Sequence, residues 1–171
     1  MIKHLFIWVF LLVTTNLNSQ SKYENKNKEY SFKIPNYYES QSSNHLRNEF
    51  VFVNRRDTTS LVINVNERLY NKESLQSFKE ETNSDVEKNY FGVLQNPKII
   101  QRGDLSTYKD KTIYFHVRHM VSSSLENDYM LTYLFYNKGK EINFIFRTKE
   151  RRLDKVLPAI QGIVNSVLLL D

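Results

Sequence analysis

The chain has no cysteine among its 171 residues. That absence excludes disulfide staples, a cysteine nucleophile and the lipid-bearing cysteine of a bacterial lipoprotein. A stable fold must therefore rest on an apolar core. Glycine is scarce too: four residues, scattered singly. No glycine-rich loop is available to cradle a phosphate, and no P-loop, G-x-S-x-G elbow or H-E-x-x-H pair occurs. Long hydrophobic runs are also missing. The longest unbroken one, Leu5–Val13, has nine residues, whereas a membrane-spanning helix needs about 20.

That short run follows Lys3 and precedes the polar stretch "TTNLNSQ". A positive start, a brief apolar segment and a polar exit predict a secretory signal peptide over residues 1–19, cut after Ser19. An uncleaved membrane anchor is the alternative reading of the same run. A strong charge bias is absent as well. The formal net charge is +5, and it falls to +4 once the leader takes Lys3 away. Acidic and basic residues interleave, as in "NKNKEY" and "RTKERR", which predicts a solvated, mixed surface. Nucleic-acid binding would need a clustered basic stripe and is not expected. Abundant Asn, Lys, Ile and Tyr fit an AT-rich bacterial genome.

What is present is a sequence of short, well-punctuated elements. Residues 20–29, "QSKYENKNKE", read as a polar linker. "YSFKIP" alternates and stops at Pro35, as a strand does. "NEFVFVN" and "SLVINVN" are two more strands, separated by the turn "RRDTT". In the second, Leu61, Ile63 and Val65 share one face, and Val62, Asn64 and Asn66 share the other, so it should lie near a sheet edge. Leu75, Phe78, Thr82, Val86 and Tyr90 then recur at helical spacing, with Asn71 placed to cap the helix. Four further strands follow. The pair around Asn137-Lys138-Gly139-Lys140 carries a strong hairpin signal, because Gly139 tolerates positive φ. The strand 128–136 is apolar on both faces and belongs in the middle of a covered sheet. Leu153, Val156, Ile160, Ile163 and Val167 predict a closing amphipathic helix, with Pro158 in its first turn or two and Gly162 allowing close packing on the sheet.

The predicted order is βββαββββα, a single α+β domain with a largely antiparallel sheet of about six or seven strands. In this setting "YSFKIPNYYE" resembles the opening of the PsbP/Mog1-like family, where a strand ends in Ile-Pro and an aromatic follows. The late hairpin and the final "IVNSV" resemble that family's close. The likeness spans about 30–170. Two positions depart from it: Asn36-Tyr37-Tyr38 stands where Gly-Trp is frequent, and Ser166-Val167 where Ser-Phe is. The resemblance implies an α/β/α sandwich around an antiparallel sheet. It implies little about activity, because that fold serves photosystem accessory subunits, a small-GTPase release factor and many exported proteins.

Candidate functional residues can be weighed against this frame. His116 and His119 would share a face on a helix, but on a strand they diverge. With His45 as the one other histidine after the leader, no metal site is expected. His119 is expected as a hydrogen-bonded histidine on a mostly apolar face, and His116 as a surface or cross-strand group beside Arg118. The loop "SSSLENDY", with Glu126 and Asp128, carries oxygen ligands suited to a hard cation, but reads more simply as a polar hairpin loop. Tyr37 and Tyr38 after the proline, and Arg55 and Arg56 in the turn, are the candidate partner-binding residues, through aromatic rings and guanidinium forks. The expected function is that of an exported, non-catalytic binding or accessory protein. It would act through protein–protein contact in the periplasm or outside the cell, with no cofactor and no membrane anchor after cleavage. The alternatives are a small exported hydrolase and a carrier of an apolar ligand. The first demands a cleft joining His45 or His119 to two carboxylates, and the second a dry internal pocket.

Overall fold

The computed structural model describes residues 19–27, 29–42, 48–66, 72–121 and 126–170. The predicted leader therefore lies outside the described residues except for Ser19, as do His45, Asn71 and part of the 122–128 loop. Among the described residues no helix is long and apolar enough to cross a membrane.

The elements run β1 (Gln20–Glu24), β2 (Tyr30–Pro35), β3 (Tyr38–Gln41), β4 (Asn48–Asn54), β5 (Ser60–Asn66), α1 (Lys72–Glu80), α2 (Asn83–Asn89), β6 (Gln95–Gly103), β7 (Thr112–Met120), β8 (Asn127–Asn137), β9 (Lys140–Lys149), α3 (Leu153–Asn165) and β10 (Leu168–Leu169). Seven strands form the main sheet in the order β3-β4-β5-β9-β8-β7-β6, and β1-β2-β10 form a small second sheet. Every neighbouring pair is antiparallel. This is the expected α+β sandwich, with extra short strands and a divided first helix.

The linker expected over residues 20–29 is corrected in its first half. Gln20–Glu24 is a strand, paired with β2 so that Tyr23 faces Phe32. Its polarity is that of a strand with one anchor: the Tyr23 ring stacks on Phe32 at 5.6 Å and meets Phe52 edge-on at 4.9 Å. The single helix expected over 71–90 is two helices. Thr82, placed on the apolar stripe, instead caps α2, its side chain accepting from Asp85 N at 3.2 Å. β5, expected near an edge, lies third from it, because β3 adds an outer strand. The β8–β9 turn forms as expected, with Lys138 at φ 49° and Gly139 at φ 75°.

Strand alternation divides the apolar residues into two layers. On one face Phe52, Leu61, Phe146 and Leu131 stand in register across four strands. They pack against Phe32 and Ile34 of the small sheet and against Val156, Ile160 and Ile163 of α3. On the other face Ile113, Phe115, Val117 and Met130 meet Leu75, Phe78 and Val86 of α1 and α2. β8 is buried along both faces, as expected. Burial of this extent is what a chain without disulfides needs.

Candidate functional site

The turn after β4 is built by its own side chains. Asn54 Oδ1 accepts from Arg56 N at 2.9 Å, and Asp57 Oδ1 accepts from Thr59 N at 2.8 Å. Asn54 Nδ2 donates to Asp57 Oδ2 at 2.8 Å. These Asx-type bonds fix the turn. Arg55 N also donates to Tyr37 O at 3.4 Å, which ties the turn to the residue after Pro35-Asn36. The result holds the Arg56 guanidinium over the Tyr37 ring, 4.9 Å from its centroid.

Of the four candidate partner-binding residues, the structure therefore brings Tyr37 and Arg56 together and separates the other two. Tyr38 is 5% exposed and belongs to the core, where burial raises its phenol pKa. Arg55 is turned outward and paired with Glu39. Tyr37 lies in the turn between β2 and β3, whereas Tyr38 opens β3 with its ring in the core, 5.4 Å from the Tyr37 ring. Tyr37 and Arg56 form one wall of a cleft of about 520 Å³, and Pro158, Ala159 and Gly162 of α3 form the other. Gly162 was expected to allow close helix–sheet packing. Instead an added Cβ there would meet nothing within 4 Å, so this glycine leaves the cleft open. Pro158 lies in the second turn of α3, within the expected range. Ser19 and Asn36 close one end, with Asn36 N donating to Ser19 O at 3.1 Å. Among the described residues no carboxylate pairs with Arg56, so its charge faces the cleft and solvent.

A second cleft, of about 450 Å³, lies on the opposite flank of α3, between Gln161 and Asn165 of the helix and Gln101, Tyr114 and His116 of the sheet. Here the expectation for the histidines is corrected. They do diverge across β7, and His116 makes a cross-strand contact, to Tyr133, but it is buried and not at the surface. His116 is 8% exposed beneath α3, whereas His119 is half-buried at the end of the strand, its Nδ1 3.2 Å from Met120 O. His116 stands mid-strand, where the helix covers it. His119 shares a face with Phe115 and Val117 but lies beyond the helices that cover them.

His116 Nε2 lies 2.9 Å from the Tyr133 hydroxyl. Burial lowers the imidazole pKa from 6.5 to about 4 and raises that of the Tyr133 phenol. The unfolded chain thus takes up a proton near 6.5, and the folded chain only near 4. The stability His116 supplies is complete above the upper value and drains away as pH falls through this window. Urea midpoints should decline across it, and His116→Gln should decline less. Equal declines for both proteins would count against a buried, uncharged imidazole.

A third polar cluster, absent from the sequence expectations, surrounds a buried carboxylate. Glu141 is 2% exposed. Its Oε1 accepts from Asn66 Nδ2 at 3.0 Å and Asn143 Nδ2 at 2.8 Å, and its Oε2 from the hydroxyls of Tyr90 at 3.3 Å and Tyr136 at 3.4 Å. The signal was available: alternation in "KEINFIF" puts Glu141 and Asn143 on one face, opposite Asn66 and Asn64. Among the described residues no three His, Asp or Glu gather as a metal site. Asp128 is paired with Lys149 at 2.7 Å and Glu126 with Arg151 at 3.3 Å.

No family model matches the sequence, and no curated protein matches it significantly. Solved structures do match over nearly the whole chain. CyanoP, the PsbP of Synechocystis sp. PCC 6803, is 18% identical with a TM-score of 0.66, over 89% of this chain and 93% of that one. The Ran-binding protein Mog1p of Saccharomyces cerevisiae is 11% identical with a TM-score of 0.60, over 90% and 96%. LpqN of Mycobacterium tuberculosis, involved in cell envelope biogenesis, is 8% identical with a TM-score of 0.58, over 90% and 91%. The chain therefore has the PsbP/Mog1-like fold, as the Ile34-Pro35 opening and the closing helix implied. At these identities the likeness concerns fold alone.

Proposed function

We propose that the protein is an exported, non-catalytic binding or accessory protein whose Tyr37–Arg56 cleft receives an acidic segment of a protein partner. The observation that carries this reading is the Arg56 guanidinium, without a carboxylate partner among the described residues and held over an aromatic ring at the mouth of an open cleft. A planar guanidinium offers a carboxylate two parallel hydrogen bonds. Stacking on Tyr37 orients that fork and reduces the entropy lost on binding. The fold supports the reading too, since one protein that shares it, Mog1p, is a Ran-binding protein.

Export rests on the leader-like residues 1–19 and on the fold shared with LpqN, which is involved in cell envelope biogenesis. Cleavage after Ser19 would remove the residue whose carbonyl accepts from Asn36 N, and would open that end of the cleft. The experiment is quantitative affinity capture from envelope and secreted fractions, using the wild type, Arg56→Glu and Gly162→Trp. Gly162 faces open space, so a tryptophan there fills the cleft without disturbing the core. One stoichiometric partner held by the wild type and lost from both variants is expected, with the protein's own N-terminus at Gln20. A partner held equally by all three would place binding elsewhere.

A further inference from the structure

We propose that the second cleft, between α3 and the β6–β7 end of the sheet, binds a neutral polyhydroxylated ligand, a unit of a saccharide. The proposal is independent of the Tyr37–Arg56 cleft, which lies across the helix.

The sheet itself shows the change of character. The row Phe52, Leu61, Phe146, Leu131 continues in register into His116 and then Gln101. The next row runs Ile63, Phe144, Tyr133, Tyr114, Gly103. An apolar face thus becomes polar in its last two strands while α3 still stands over it. The wall from the helix is polar as well. Gln161 and Asn165 are four residues apart and share a helix face, pointing their amides into the same space as Gln101.

Charge is nearly absent from this space. Asp104 is the one charged lining residue, and Lys79 neutralises it at 2.9 Å. His116 is uncharged at neutral pH. A phosphate or carboxylate ligand would find no cation, and an apolar ligand would strand the amides unpaired. A vicinal diol fits. Each primary amide offers a carbonyl acceptor beside an NH₂ donor, matching neighbouring hydroxyls that both donate and accept. The C–H face of a sugar ring needs an aromatic surface. The partly buried Tyr114 ring supplies one, backed by the buried Tyr133 ring, with centroids 5.7 Å apart and planes within 30°.

Both rings are set in place before any ligand arrives. Gln101 Nε2 donates to the Tyr114 hydroxyl at 2.9 Å, and the Tyr133 hydroxyl meets His116 at 2.9 Å. Gly103 leaves room for the Tyr114 ring: a Cβ there would lie 3.2 Å from the Tyr114 hydroxyl. The volume, about 450 Å³, falls within the range of about 300–1,000 Å³ usual for small-molecule sites.

The test is an NMR titration of the purified chain with hexoses, N-acetylhexosamines and their disaccharides. At least one should bind with a Kd of about 1 mM or tighter. Shifts should be confined to residues around Tyr114, His116 and Gln161. Gln161→Ala, an exposed position, should weaken binding about tenfold without lowering the melting temperature, and Arg56→Glu should leave it unchanged. No response to any sugar at about ten times that concentration, or binding indifferent to Gln161→Ala, would overturn the proposal.

Discussion

Truncating Phe144 to alanine should lower the melting temperature by roughly 6–20 °C. Phe144 has no exposed surface, and it stands where the main sheet meets the small one. Its ring meets Phe32 of the small sheet edge-on at 5.3 Å, Tyr30 at 6.0 Å and Phe135 of the neighbouring strand at 5.4 Å. Removing it loses both the burial of a large apolar group and the contacts of the rings around it. Such Phe→Ala changes cost about 3–5 kcal/mol, because the cavity collapses only in part. For a chain of this size each kcal/mol shifts the midpoint by roughly 2–4 °C. Total stability is expected at about 5–15 kcal/mol, so a sizeable share is at stake, with no disulfide to compensate. Thermal melts followed by circular dichroism measure the effect. A loss below about 1 kcal/mol, within the range of an ordinary surface change, would mean that the small sheet is not interlocked with the main one at this ring.

Glu141→Ala is expected to cost about 3 kcal/mol, beyond what its side-chain packing explains. The carboxyl group is the common acceptor for Asn66, Asn143, Tyr90 and Tyr136. Asn143 is 7% exposed, so its amide has little access to water once the acceptor is gone. An unsatisfied buried donor costs about 1–3 kcal/mol, and here one substitution removes the acceptor from several. Glu141→Gln keeps the shape and one acceptor oxygen, and should cost about half as much. The pair of variants separates hydrogen bonding from volume. Urea denaturation of both would show it, and a Glu141→Gln protein as stable as the wild type would argue that packing alone matters at this position.

The strands were readable because alternation is local. Val-Phe-Val and Val-Ile-Asn-Val patterns declare two faces without help from distant residues. The β8–β9 turn was readable because Gly139 announces its own backbone. What escaped depended on partners. β1 carries a single large apolar residue, Tyr23, and becomes a strand only because Phe32 and Phe52 receive that ring. β3 and β10 are too short for a period to emerge. Thr82 falls at the right spacing for a buried stripe, yet its hydroxyl gains more by capping a free N–H than by burial. The two histidines fall on opposite faces as the alternation says, but the burial of His116 was not legible. Their neighbours in sequence say which face is apolar, not where the covering helices end. The Tyr37–Arg56 pairing was likewise half legible: both residues could be named, but the bond from Arg55 N to Tyr37 O that joins them is a long-range contact.

The small sheet holds one more consequence. β2 is flanked by β1 on one side and by Leu168–Leu169 on the other, and Leu170 N donates to Glu29 O at 2.8 Å. Ser166 Oγ accepts from Lys33 N at 2.8 Å, across 133 residues of sequence. This seam closes only when remote segments meet, so it should be among the slowest parts of the molecule to form. A protease that clipped the chain just ahead of Leu168 would unzip it, leaving β2 with an unpaired rim at Tyr30 and Ser31. That rim would accept the severed tail of a sister molecule as readily as its own, the first step of strand exchange.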